Sequence, residues 1–228
     1  MLMATFGVGS ILVGLGRQLC CLPGSVGDGG MFIATLSALR SRARLVAVTY
    51  PALSEPERLA DGLAQVMNHL ELASAVVVGS SFAAYWAQFF ALRHPERVRA
   101  LVLGNGLVDS TDLSYDPLFV PDYLESVSPK ELHAAWIERV GNLPVSPLQQ
   151  LQSFMLSDRQ TPENLHARFL GVGRAKVCPS LSLPMAVVTV LIAVTIPSYR
   201  LLCVSGCGLA TWVRDILVCP PAATTHIF

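Results

Sequence analysis

The sequence predicts an α/β fold, a mostly parallel sheet with helices on both faces. Short continuous apolar runs alternate with amphipathic helical stretches over residues 19–106, as strands buried on both sides require. The third run stops at a turn of small residues and passes straight into helix-forming sequence. A length of 228 residues is enough for one such domain with a full core.

Residues 1–16 are apolar and glycine-rich, with no positive charge ahead of the apolar part, which argues against a secretory signal. Residues 19–22 read as the first strand, running into Pro23-Gly24-Ser25 and a loop containing Gly27, Gly29 and Gly30. Residues 31–42 carry Ile33, Leu36 and Leu39 at helical spacing. Residues 44–50 are the second strand, closed by Pro51. The next helix opens with Ser54 as its capping residue and Pro56 in its first turn, and lines up Leu59, Leu63, Val66, Met67 and Leu70 on one face. A third strand follows at 75–78, then a helix to about Arg93 and a fourth strand at 98–103.

The pattern loosens after Gly106. Helical stretches at 129–140, 147–156 and 162–169 predict a helical cap inserted over the carboxyl ends of the strands, where ligands bind in open α/β sheets. The chain thus divides into an atypical N-terminal segment (1–18), an α/β core (19–106), a helical cap (107–170) and an atypical tail (171–228). The tail holds one acidic residue, Asp215, against Arg174, Lys176, Arg200 and Arg214, and four of the six cysteines. That abrupt change suggests a sheet incomplete at its C-terminal side and an alternative or misread C-terminus. Within the tail, 181–196 is nearly all apolar. It falls short of the roughly 20 residues a spanning helix needs, and its Val, Ile and Thr favour a buried strand. Whether 184–204 pair beside 98–103 decides how the sheet ends.

The 16 basic and 16 acidic residues balance, so no field of one sign draws nucleic acid to the chain. Cys20 and Cys21 lie side by side in a buried strand, where free thiols behave as small hydrophobes, and this fits a reduced, cytoplasmic setting. There is no Cys-x-x-Cys pair, and Cys203 and Cys207 have no histidine nearby, so neither a metal nor a cofactor is expected.

The chemistry centres on Gly79-Ser80-Ser81-Phe82-Ala83. In α/β-hydrolases the pattern G-x-S-x-G places a serine on a tight strand-to-helix turn, the nucleophile elbow, and here alanine takes the last small position. Ser81 is the nucleophile position, and backbone N–H groups of Phe82 and Ser25 are candidate oxyanion donors. A serine needs a histidine to take its proton and a carboxylate to orient that histidine, and in this fold both follow the serine. Asp109 reads as an acid in a variant placement or as a loop aspartate capping the next turn. His226 is the sole histidine beyond His166 and the remaining candidate base. His133 and His166 fall in cap helices as surface residues, and His69 and His94 sit near helix ends, where an imidazolium suits the helix dipole.

With these pieces in view, residues 20–170 resemble the maspardin family. The resemblance rests on Leu22-Pro23-Gly24-Ser25-Val26-Gly27, Val48-Thr49-Tyr50-Pro51, Asn68-His69-Leu70-Glu71-Leu72, the elbow, and Leu103-Gly104-Asn105-Gly106-Leu107-Val108-Asp109-Ser110-Thr111. It implies an α/β-hydrolase fold, a cytosolic protein with peripheral association at endosomal or Golgi membranes, action through a protein partner, and no established substrate. Ala83 and the tail depart from the family pattern. Two functions are expected: a non-catalytic protein-binding adaptor, or a serine hydrolase acting on a small acyl substrate.

Overall fold

A computed structural model describes residues 10–14, 16–181, 183, 188–193 and 216–219. Its centre is a seven-stranded sheet ordered β1-β3-β2-β4-β5-β6-β7. The strands are β1 (Ser10–Val13), β2 (Arg17–Leu22), β3 (Ala43–Val48), β4 (Ala75–Ser80), β5 (Val98–Gly104), β6 (Val188–Ala193) and β7 (Ile216–Cys219). All neighbours run parallel except β1, which pairs antiparallel with β3 at one edge.

Both ends of the sheet come from segments set apart above as atypical. Ser10–Val13 lie inside the first, so 1–18 contributes an edge strand as well as the start of β2. In the tail, β6 pairs with β5 through Leu101↔Val188 to Gly104↔Leu191, and β7 follows beside β6. The β-branched residues of 188–193 take the strand geometry their side chains favour. No helix among the described residues is long and apolar enough to cross a membrane.

Helices α1 (Ile33–Leu39), α2 (Pro56–His69) and α3 (Phe82–Arg93) flank the sheet. Leu36 of α1 packs on one face against Cys21, Leu45 and Ala47. On the other face, α2 and α3 bury Leu59, Leu63, Met67, Tyr85, Trp86 and Phe90 against Cys20, Val46, Val77 and Leu101. Helix α2 begins one residue later than its sequence suggests. Its N-cap is Glu55, whose side chain makes no capping bond, and the expected cap Ser54 instead donates its N–H to the Glu55 carboxylate at 3.2 Å. Pro56 at the first position needs no donor there, which fixes the start without a capping side chain.

The cap contains α4 (Pro121–Ser126), α5 (Pro129–Gly141), α6 (Pro147–Phe154) and α7 (Pro162–Gly173). Helix α5 has a full capping box between Ser128 and Glu131. The cap builds its own core from Leu124, Leu132, Val140, Leu156, Leu165 and Phe169, and Val26 from the loop after β2 is packed into that core. Helix α7 reaches back to the sheet layer as well: a Cβ on Gly171 would lie 2.7 Å from the Ser54 carbonyl oxygen and 2.4 Å from the Phe82 ring. Only a glycine permits that approach.

Candidate functional site

Ser81 joins β4 to α3 with φ 53° and ψ −123°, a backbone conformation that costs a non-glycine residue about 1–3 kcal/mol. It is held there from both sides. The Ser81 N–H donates to the Gly104 carbonyl at the end of β5 (2.8 Å), and the Ser81 carbonyl accepts from the N–H groups of Ala84 (2.9 Å) and Tyr85 (3.3 Å). Gly79 supplies the clearance, because a Cβ there would lie 2.5 Å from the Ala83 carbonyl oxygen. Ala83 itself is fully buried in the core, so its methyl group fills space the packing provides.

The loop after β2 comes directly against this turn. A Cβ on Gly24 would lie 3.0 Å from the Ser81 Cβ and 3.2 Å from the Ser80 carbonyl oxygen. The Tyr50 hydroxyl is shared between the carbonyls of Pro23 (3.0 Å) and Gly24 (3.1 Å). Because the C=O and N–H of a trans peptide point in opposite directions, anchoring the Gly24 carbonyl on Tyr50 turns the Ser25 N–H away from the tyrosine. The Phe82 N–H is the first donor of α3, a position with no acceptor within the helix. Burial pushes the Tyr50 phenol above its ordinary pKa, so it remains a donor at neutral pH.

Asp109 caps the short 3-10 turn Ser110–Leu113, accepting from the Thr111 N–H (2.8 Å) and the Thr111 hydroxyl (2.5 Å). The neighbouring Ser110 N–H donates to the Ala175 carbonyl, and the Tyr85 hydroxyl exchanges hydrogen bonds with the backbone of Lys176, so this loop and the chain leaving α7 are tied to the start of α3. Burial raises the Tyr85 phenol to about 12, and Cys178, Glu57 and Asp109 add smaller charge effects in the same direction.

The candidate base His226 lies outside the described residues. The other four histidines are placed. His69 ends α2, and His94 follows α3 with its Nε2 3.3 Å from Asp61, at the end of the helix far from Ser81. His166 and His133, expected on the surface, are half-buried between cap helices: His166 Nε2 is 2.8 Å from the Leu124 carbonyl, and His133 Nε2 is buried with no partner among the described residues. Helix-on-helix packing of the cap covers them.

Sequence reasoning missed Arg168. This α7 residue is 1% exposed and donates to the carbonyls of Ser25, Gly27 and Tyr50, with its guanidinium carbon 4.0 Å above the Tyr50 ring. The Gln160 side chain also donates to the Ser25 carbonyl, at 2.6 Å. The signal was a lone arginine on the apolar face formed by Leu165, Phe169 and Val172, a position an unpaired cation avoids.

The arrangement presents a serine with a strained backbone beside a braced loop and a helix N-terminus. Backbone N–H groups at such a turn are what acyl-transfer enzymes use to hold an oxyanion.

Comparisons with known proteins bear on the fold. The Ndr family model matches residues 41–114, which run from β3 through the elbow to the Asp109 turn. No curated protein sequence matches the chain at a significant level. Among solved structures, an esterase from Thermogutta terrifontis superposes with a TM-score of 0.65 at 22% identity, covering 82% of this chain and 75% of that one. An epoxide hydrolase from Bacillus megaterium gives 0.66 at 18% identity, covering 97% and 92%. A hydrolase from Pseudomonas aeruginosa gives 0.62 at 18% identity, covering 82% and 76%. The chain has the α/β-hydrolase fold.

Proposed function

We propose that this α/β-hydrolase-fold chain is a maspardin-like adaptor or regulator, a cytoplasmic protein that binds a protein partner near endosomal or Golgi membranes and uses its Ser81 pocket for recognition without turnover. The observation that carries this reading is the placement of the histidines. A serine hydroxyl is a weak nucleophile until a base takes its proton, and among the described residues His94 and His166 are engaged elsewhere, His133 sits in α5 of the cap and His69 lies at the end of α2. Asp109 gives one carboxylate oxygen, Oδ1, to the N–H and hydroxyl of Thr111, which supports its role as a turn cap. The maspardin-like residues of the β2 loop, the elbow and the Asp109 turn support the family assignment, and the balanced charge fits a role away from nucleic acid.

A second reading, a serine hydrolase acting on a small acyl substrate, is favoured by one specific observation. The strained backbone of Ser81 and the braced loop beside it are what acyl transfer needs, with Phe82 and Ser25 as oxyanion donors, Asp109 as acid and His226 as base. Hydrolysis of short p-nitrophenyl esters separates the two. The adaptor reading expects the same slow rate from wild-type and Ser81→Ala protein. A rate that falls a hundredfold or more on Ser81→Ala establishes the hydrolase instead.

A further inference from the structure

We propose that Arg168 is a positioning residue: its guanidinium clamps the loop beside Ser81 to the cap, so the placement of that loop against Ser81 follows the position of α7. The inference concerns the same region as the proposed function, but it rests on the contacts of the fold and needs neither turnover nor a partner.

Three features of the geometry carry it. First, the partners of Arg168 are main-chain carbonyls from two strand ends, Ser25 and Gly27 after β2 and Tyr50 after β3. A planar fork that bridges three carbonyls fixes the orientation of their peptide groups, which a point charge on a flexible stem does not. Second, the contacts place a cation where no carboxylate among the described residues pairs with it directly. Asp28 is the nearby carboxylate, and it directs its oxygens to Arg159 and to the Gly30 N–H. The Arg168 Nε is buried with no partner among the described residues. Burying a charge this way is costly, and a Met or Leu would fill the same helix face at lower cost. Packing alone therefore does not account for the residue.

Third, the loop that Arg168 holds is coupled to the cap at one end and to the elbow at the other. Val26 is packed into the cap core, while Gly24 lies against the Ser81 side chain. The same helix that carries Arg168 also touches the Phe82 ring through Gly171, one residue beyond Ser81. A shift of α7 therefore moves the carbonyls of Ser25 and Gly27 and the first residue of α3 together. Anything that binds the cap and displaces α7 would alter the surroundings of Ser81 without touching Ser81.

The test is amide hydrogen exchange on the full chain. The Gly29 N–H, bonded to the Thr49 hydroxyl at 3.1 Å, and the Gly30 N–H, bonded to Asp28 at 2.7 Å, are the reporters of the loop, and amides within α2 and α3 report the rest of the fold. In Arg168→Met the reporters should exchange roughly tenfold faster while the α2 and α3 amides keep their wild-type rates. Arg168→Lys keeps the charge and loses the fork, so it should show the same selective change at smaller size, and it decides the matter alone if the Met variant does not fold. Wild-type exchange at Gly29 and Gly30 in the Lys variant overturns the proposal. So does faster exchange spread equally over loop, α2 and α3, which would make Arg168 a contributor to global stability only.

Discussion

At Gly79 a single methyl group would meet main chain, the Ala83 carbonyl oxygen at 2.5 Å and the Ala84 nitrogen at 2.8 Å, and main chain in the first turn of a buried helix cannot turn aside as a side chain can. Gly79→Ala should therefore destabilise the protein by about 1–3 kcal/mol or more, visible as a fall in chemical-denaturation midpoint at unchanged slope. Ser81 was legible in the sequence because the elbow pattern sits between a strand and a helix, although the Gly104 carbonyl that helps hold it is a long-range partner. Arg168 was not, because its meaning lies in carbonyls 118 to 143 positions away along the chain. Asp109 was read with both of its meanings, and the structure displays the cap: a short polar side chain bonding two residues ahead is a local matter that sequence reports well.

Among the elements, α2 and α3 carry most of the packing on their face of the sheet, and a surface cluster joins them near the end of α3. Asp61 of α2 accepts two hydrogen bonds from Arg93 at 2.8 Å and faces His94. The Arg93 hydrogen bonds, and then those from His94, hold the Asp61 carboxyl below its ordinary pKa. A depressed carboxyl pKa stabilises the fold above the unfolded value of about 3.9, and that contribution disappears as pH falls through the lower folded value. The pair is exposed, so Asp61→Asn should cost less than about 1 kcal/mol at pH 7, and its stability should converge with wild type in paired denaturation curves once the pH lies below the lowered folded value. The long elements were legible from periodicity and continuous apolar runs. Helix α4, of six residues, was not, since it is too short to show a period. The start of α2 was displaced by one residue because proline at the first position replaces what a capping side chain would supply.

Across the whole molecule, the described sheet extends to residues far from its centre in sequence, β6 and β7. The core strands follow from local pattern, whereas the partner of β5 comes from the tail. Its strand propensity was visible in Val188, Thr189, Val190 and Ile192, but which edge it would join is a long-range pairing that no local signal encodes. Ending the chain after residue 187 should leave the Leu101–Gly104 edge of β5 unpaired, and the truncated protein should elute as aggregate in size-exclusion chromatography where the full chain elutes at its own size.

The central proposal is that the chain keeps the hydrolase elbow and acts through binding. A fluorophosphonate probe reads this most directly, because it reacts covalently only with a serine whose hydroxyl is activated. Full-length protein that is folded by circular dichroism should show no labelling that depends on Ser81, with wild type and Ser81→Ala indistinguishable. Covalent labelling of the wild type that is lost in Ser81→Ala would contradict the account and make Ser81 the nucleophile of an enzyme.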